Sequence, residues 1–302
     1  MKTHVKKRAE RPPTDLLKIL KTIRHRRCGF DRITLYVNHP APDTVLDTLK
    51  NVCDATANGL LKSLKMNPLW QYEIALKQPS NADLQYLTEA LNEAACDHMI
   101  SYVELANDWV TKCRQDALAL QSWLLAHMHL KKPFQQVIQH QEKTCYYFHR
   151  RLRGKCKAPR VVVMYADKRS KLRSNEPGYK KRCCHLECRL FGQVALMQIG
   201  IARTEGLIQF DHDVFWHKLI HLVKFKKTDF GRVLGNGSNW VSQAALRKRA
   251  SVLRKEYSLK NRQGDADFIL QNLLVDMPEV LTIGTTIPTD WLLQKRNQND
   301  GK

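Results

Sequence analysis

The chain has 302 residues and a hydrophobic fraction of 43%, ordinary for one large globular domain or a domain with an appendage. Its formal net charge of +21 is unusual and predicts an anionic partner. Nine cysteines, an odd number, indicate reduced thiols rather than a disulfide framework. No apolar run approaches the ~18 residues that a membrane span needs, so we expect a cytoplasmic protein without a membrane partner.

The positive charge is concentrated in three zones. Residues 1–30 carry ten Lys or Arg against two acids, residues 148–182 thirteen against two, and residues 241–262 seven against one. Residues 31–140 instead hold nine basic and twelve acidic residues. A neutral-to-acidic scaffold with basic zones is typical of a nucleic-acid-binding protein. Attraction to anionic lipid, or solubility alone, is the competing explanation.

Strands and helices alternate in the predicted order of elements as far as residue 127. Residues 1–13 are charged and contain two prolines, which predicts a disordered basic N-terminus. Periodicity and capping residues then predict a helix over 16–24, a strand over 31–37, a helix opening at Pro42, a strand over 70–77, a helix over 80–95, a strand over 98–109 and a helix over 112–127.

Three strand-like runs, joined by loops rich in Arg and Lys, follow between residues 143 and 192. The last third predicts helices over 211–226, 239–258 and 264–274. This order predicts an α+β fold in which an antiparallel β-sheet backed by helices occupies residues 14–200. A helical C-terminal region over residues 201–302 completes the predicted organisation.

The second strand-like run, R-V-V-V-M-Y-A-D-K, places Tyr165 at the rim of a strand. A phenolate can attack phosphorus and store the bond as a covalent ester. Nearby cations favour the phenolate, and Lys168 follows Tyr165 closely enough to take part in catalysis. The cations expected around the phenol are Arg160, Lys168, Arg169 and Lys171. A packing role is the alternative interpretation of a tyrosine in a strand.

Four residues are candidate metal ligands. Glu104 and Asp108 share one face of a predicted strand, as do His185 and Glu187. Carboxylates in an otherwise apolar strand are costly to bury unless they are paired or bound to metal. Carboxylate oxygens with one imidazole suit Mg²⁺ or Mn²⁺. A solvent-facing strand edge is the alternative for the acidic pair.

A zinc site is a competing interpretation of the cysteines near residue 185. Cys183, Cys184, His185 and Cys188 lie close together in sequence, but adjacent residues of a strand point to opposite faces. Only a distant pair, for example Cys145 with Cys156, could complete a tetrahedral site. The sequence has no phosphate-binding G-x-x-x-x-G-K-[ST] loop.

Several motifs together resemble a known family. Y-E-I-A-L-K, N-A-D-L-Q-Y-L-T-E-A-L and Y-V-E-L-A-N-D-W are similar to its strand–helix–acidic-strand unit. T-C-Y-Y-F-H-R-R, V-V-V-M-Y-A-D-K and C-H-L-E-C-R-L are similar to the three strands that follow there. The order and spacing, from about residue 30 to 195, resemble the plasmid rolling-circle replication initiators of the replication-initiation-factor type and related filamentous-phage initiators.

The resemblance implies site-specific DNA nicking and strand transfer through a tyrosine–DNA covalent intermediate. Tyr165 matches the family's nucleophile, Glu104 and Glu187 match metal ligands, and Asp108 supports them. Glu104 stands where an aspartate is common, Phe148 stands where a glycine is usual, and His185 is not a standard ligand of the family. The last hundred residues match no family motif.

The implied partner is DNA, as an origin hairpin or single strand in a bacterial cytoplasm, with a host helicase and polymerase as further partners. The alternatives are a non-catalytic DNA-binding regulator of a mobile element and a structural zinc protein that binds RNA. Basic side chains from the second and third basic zones are expected to contact DNA. These are Arg150, Arg151, Arg160, Arg169, Lys171, Arg247, Lys248 and Arg254.

Overall fold

A seven-stranded antiparallel sheet organises the described part of the chain. The computed structural model describes residues 14–39, 69–70, 72–130, 136–140, 144–148, 159–166, 168–170, 177–224 and 285–293, with positions 43, 45, 47, 48, 172, 251 and 255. The strand order of the seven-stranded sheet is β2-β1-β3-β8-β7-β6-β5. The strands are β1 (Ile23–Val37), β2 (Tyr72–Lys77), β3 (His98–Thr111), β5 (Gln136–His140), β6 (Thr144–Phe148), β7 (Arg160–Tyr165) and β8 (Cys183–Phe191).

Helices and a small second sheet complete the described elements. The helices are α1 (Thr14–Leu20), α2 (Asn81–Glu93), α3 (Arg114–His127), α4 (Gln193–Met197), α5 (Thr204–Ile208), α6 (His212–Leu219) and α7 (Asp290–Leu293). The second sheet has the order β10-β9-β4 and consists of β4 (Met128–Leu130), β9 (Ile220–Lys224) and β10 (Thr285–Ile287). The predicted α+β class, an antiparallel sheet backed by helices, is confirmed.

One face of the large sheet forms the hydrophobic core. Leu105 and Trp109 of β3 lie on this face, and in register with them are Cys188 and Cys184 of β8. Helix α3 lies against β3 and β8, and its Gln121 side chain donates a hydrogen bond to the carbonyl of Met164. Burying a large apolar side chain contributes about 1.5–3 kcal/mol. The opposite face of β3 and β8 carries polar residues, among them Glu104, Asp108 and Glu187.

Strand β1 begins at Ile23 rather than at the predicted Asp31. Its first half is rich in arginine and so shows no apolar alternation. Arg26 nevertheless lies buried on the core face because its guanidinium donates to Asn107 Oδ1 at 2.9 Å and to Asp213 Oδ1 at 3.1 Å. Hydrogen-bond partners distant in sequence thus allow a charged residue in the core.

The prediction of a helix over residues 211–226 is wrong in its second half. Helix α6 ends at Leu219, and β9 pairs with β4 from Ile220 onwards. Ile220 and Leu222 are buried together in this small sheet. A short apolar run does not distinguish a strand from a helix without its partner strand. The predicted helix over 239–258, apart from positions 251 and 255, lies outside the described residues, as do the predicted helix over 264–274 and residues 1–13.

The described helices are all too short or too polar to cross a membrane. The longest, α3, has 14 residues.

Candidate active site

Three carboxylates meet on the polar face of the large sheet. One oxygen from each of Asp31, Glu104 and Glu187 lies within 4.8 Å of the other two. They come from the neighbouring strands β1, β3 and β8. Glu104 and Glu187 are buried, with 7% and 1% of their surface exposed, although both are carboxylates. Such a cluster is electrostatically unfavourable unless a cation compensates it.

Asp31 is the member of this cluster that the sequence did not reveal. The pairing of β1 with β3 is irregular between Phe30 and Arg32, so Asp31 occupies an extra position in the strand. A bulge breaks the alternation of faces, and the side chain's direction cannot be read from the sequence. Gln78 holds Asp31 in place, with its Nε2 2.8 Å from Asp31 Oδ1.

Two tyrosines donate hydrogen bonds into the cluster. The Tyr165 hydroxyl donates to Glu187 Oε1, and the Tyr102 hydroxyl donates to Glu104 Oε1. Arg189 joins the two glutamates, since its guanidinium lies 2.8 Å from Glu187 Oε2 and 3.6 Å from Glu104 Oε1. The prediction that His185 and Glu187 share one face of β8 is confirmed, and Arg189 lies on the same face.

The electrostatic surroundings of Tyr165 differ from the prediction. Burial raises its pKa, and the Glu187 carboxylate, its hydrogen bond and the Asp108 charge raise it further. The expectation that neighbouring cations favour the phenolate is therefore wrong for the site as it stands. Lys168 lies near the Tyr165 ring, but carboxylates distant in sequence surround the hydroxyl. The buried carboxylates therefore disfavour the phenolate form of Tyr165.

The pKa of Glu104 is also raised, chiefly by burial. The hydrogen bond from Tyr102 lowers it, Glu187 raises it, and Arg189 lowers it again. Mg²⁺ and Mn²⁺ prefer carboxylate oxygens. The set of Asp31, Glu104 and Glu187 consists of three such groups, partly compensated by one arginine. The donor set therefore fits a divalent cation of this class.

The predicted ligands Asp108 and His185 form a separate pair beside the acidic cluster. His185 Nδ1 lies 2.6 Å from Asp108 Oδ1, and the two residues are directly opposite in the β3–β8 register. The His185 ring stacks on Tyr165 at a centroid distance of 4.6 Å. Cys183 lies next to this pair, with its Sγ 3.8 Å from His185 Nδ1. The four predicted ligands are thus divided between two adjacent groups.

The described basic residues that were predicted to lie around Tyr165 are found at the two ends of β7. Lys168 is exposed, and its ammonium lies 5.3 Å from the centre of the Tyr165 ring. Arg169 is exposed, and its backbone forms an isolated antiparallel β-bridge with that of Arg182. Arg160 begins β7, about 16 Å from Tyr165 along the strand and on the opposite face. The prediction that Arg160 surrounds Tyr165 is therefore wrong.

Arg160 instead lines a cavity of about 800 Å³ with Phe210 and Lys218. The other predicted DNA-contacting residues lie outside the described residues. They are Arg150, Arg151, Lys171, Arg247, Lys248 and Arg254.

No protein-family model and no curated protein matches the sequence. A solved structure of a rolling circle replication initiator protein from Geobacillus stearothermophilus is similar to this chain, with a TM-score of 0.37 and 10% sequence identity. The similarity covers 82% of this chain and 96% of that protein.

Proposed function

We propose that this protein is a metal-dependent DNA endonuclease and strand transferase that initiates rolling-circle replication, with Tyr165 as its nucleophile. The observation that carries the proposal is the hydrogen bond from the Tyr165 hydroxyl to Glu187, a carboxylate grouped with Glu104 and Asp31. A phenol that donates a hydrogen bond to a carboxylate, within a group of carboxylates suited to a cation, is arranged for phosphoryl transfer. A regulator that only binds DNA does not require this convergence.

The chain's own residues supply the proton transfer and the nucleophile. The Tyr165 oxygen forms a bond to the scissile phosphorus as its proton passes to Glu187 Oε1. The bond from phosphorus to the 3′ oxygen then breaks, and that oxygen takes up a proton to leave as a 3′-hydroxyl. The 5′ phosphate remains on Tyr165 as a phosphodiester. A polymerase can extend the free 3′-hydroxyl.

Positive charge in the cluster is required because burial and carboxylates hold the Tyr165 pKa high. A divalent cation of the Mg²⁺ or Mn²⁺ class, held by Asp31, Glu104 and Glu187, would polarise the phosphate and offset the developing negative charge. Arg189 supplies a fixed positive charge between Glu104 and Glu187. Tyr102 orients the Glu104 carboxylate through its hydrogen bond.

Basic residues near the site would hold the DNA backbone. Lys168 and Arg169 are exposed at the end of β7 that carries Tyr165. Contacts from cations to phosphates fix the register of a nucleic acid without reading its bases. The remaining expected contacts come from the basic zones. They are Arg150, Arg151, Arg160, Lys171, Arg247, Lys248 and Arg254.

Covalent capture of DNA tests the proposal. Full-length protein is incubated with Mn²⁺ and a pool of 3′-labelled single-stranded oligonucleotides that contain random hairpins, and adducts are separated on a denaturing gel. We expect a labelled adduct with wild type and with Tyr146→Phe, a control on the neighbouring strand β6. Tyr165→Phe and excess chelator should each abolish it. DNA binding without any adduct in wild type would instead identify a DNA-binding regulator.

A further inference from the structure

We propose that Asp108, Cys183 and His185 form a second metal site, for a borderline divalent ion such as Zn²⁺, beside the acidic cluster. Metal binding at this site can be tested without reference to the proposed nicking activity. It differs from the acidic cluster in its ligands, in its burial and in the ion that it would select.

The sheet brings the three donors to one point. Cys183 and His185 are two residues apart on β8 and therefore share a face, and Asp108 lies directly across from His185 on β3. One donor atom from each lies within 4.8 Å of the others. Cys184, the neighbour of Cys183, points to the opposite face and is buried in the core. This arrangement removes the objection that consecutive cysteines on a strand cannot share an ion.

The distances are close to those of a tetrahedral site. Ligands at about 2.0–2.3 Å from a tetrahedral ion are separated from one another by roughly 3.3–3.6 Å. Cys183 Sγ and His185 Nδ1 are 3.8 Å apart. His185 Nδ1 and Asp108 Oδ1 are 2.6 Å apart, a hydrogen-bond distance that opens by about 0.7 Å when an ion replaces the proton between them.

The three donors are buried beside apolar residues. Asp108, Cys183 and His185 have 3%, 0% and 2% of their surface exposed. Leu172 and Val110 pack with Cys183 in a small apolar cluster. Gly178 also lies over this end of the sheet, because a Cβ on it would meet Val110 Cγ2 at 2.6 Å. A buried carboxylate beside an imidazole and a thiol favours a bound cation.

The donor chemistry selects a different ion from the acidic cluster. Sulfur and nitrogen ligands favour Zn²⁺ and its analogue Co²⁺, whereas carboxylates alone favour Mg²⁺ or Mn²⁺. Burial and then the Asp108 charge raise the pKa of the Cys183 thiol, so binding of a thiolate-seeking ion releases its proton. Three protein ligands leave a fourth position for water.

The site would also position the nucleophile of the proposed reaction. The His185 ring that offers Nδ1 stacks on the Tyr165 ring with an interplanar angle of 27°. An ion at Nδ1 fixes the orientation of this ring. Tyr165 would therefore pack against a rigid imidazole rather than a mobile one.

Cobalt spectroscopy tests this site without reference to activity. Full-length protein stripped of metal with a chelator is titrated with Co²⁺, and a thiolate-to-cobalt charge-transfer band is followed in the near ultraviolet. We expect the band to saturate at one Co²⁺ per chain and to disappear on addition of Zn²⁺. Cys183→Ser should abolish it, whereas Cys184→Ser, a change of the adjacent buried thiol, should leave it intact.

Two further variants keep the result interpretable. Glu187→Gln should retain the cobalt band because it alters only the acidic cluster. His185→Gln should lose the band, and far-ultraviolet circular dichroism shows whether it and Cys183→Ser are folded. If Cys183→Ser is unfolded, the loss of the band in folded His185→Gln carries the test. A wild-type protein without the band, or a band that survives in a folded Cys183→Ser or His185→Gln, would overturn the second site.

Discussion

Replacing Glu104 with glutamine separates the two effects of its charge. In the metal-free protein, Glu104 lies in a cluster whose oxygens are within 4.8 Å of one another. Two carboxylate charges at that distance repel by roughly 3–4 kcal/mol at an effective dielectric constant of about 20. Arg189 and the Tyr102 hydroxyl offset part of this repulsion. We therefore expect metal-free Glu104→Gln to be as stable as wild type or more stable by up to about 2 kcal/mol.

With metal the order should reverse. A ligand at 100 times its dissociation constant stabilises the native state by about 2.7 kcal/mol. For a domain of this size, 1 kcal/mol corresponds to about 2–4 °C in melting temperature. Mn²⁺ should therefore raise the melting temperature of wild type by about 5–11 °C. Glu104→Gln should show little of this shift because a neutral amide replaces one of the charged carboxylate ligands.

Thermal unfolding with and without Mn²⁺ measures both effects. Glu89→Gln, on the exposed side of α2, is the matched control and should behave as wild type in both conditions. A Glu104→Gln protein that is strongly destabilised without metal would show that the carboxylate is a structural partner. A full Mn²⁺ shift in that variant would show that the ion binds elsewhere. Either result would refute the reasoning about the cluster.

Burial raises the pKa of Glu104, so Mn²⁺ affinity should begin to fall, as the pH is lowered, at a higher pH than for a site of exposed carboxylates. Calorimetry should show a loss of up to about tenfold in affinity per pH unit. The same pH dependence in Glu104→Gln would contradict this. Gly178→Ala should lower the free energy of unfolding by about 1–3 kcal/mol more than Gly192→Ala. Both glycines have positive φ, but only a Cβ at Gly178 meets a neighbour; equal losses in denaturant titrations would contradict the close contact with Val110. Neutralising Arg247, Lys248 and Arg254 together should reduce the log–log salt slope of DNA binding by up to ~3; an unchanged slope would exclude the predicted helix over 239–258 from the phosphate contacts.

The sequence predicted the strands that carry the site and much of its composition. Alternation along β3 predicted that Glu104 and Asp108 share a face of that strand, and alternation along β8 predicted the same for His185 and Glu187. The β3–β8 register places both pairs on the same face of the sheet. The polar residues after Tyr165 correctly placed it at the end of β7. Such patterns can be read from a short stretch of sequence because successive side chains in a strand point to opposite faces.

What escaped prediction depended on contacts between distant residues. Asp31 enters the cluster through a bulge, and the roles of Tyr102 and Arg189 depend on side-chain reach across the sheet. The alternation of faces could not show that Asp108 pairs with His185 whereas Glu104 pairs with Tyr102. The pKa of Tyr165 responds to carboxylates from other strands rather than to the cations beside it in sequence.

The most direct test of the account is the chemical identity of the residue that holds DNA. The adduct formed with Mn²⁺ and labelled oligonucleotides is digested with trypsin and nuclease, and its peptides are sequenced by tandem mass spectrometry. We expect a single modified peptide in which Tyr165 carries a 5′-nucleotide through a phosphodiester. A nucleotide on Tyr102, on Tyr146 or on any other residue would contradict the assignment of Tyr165 as the nucleophile.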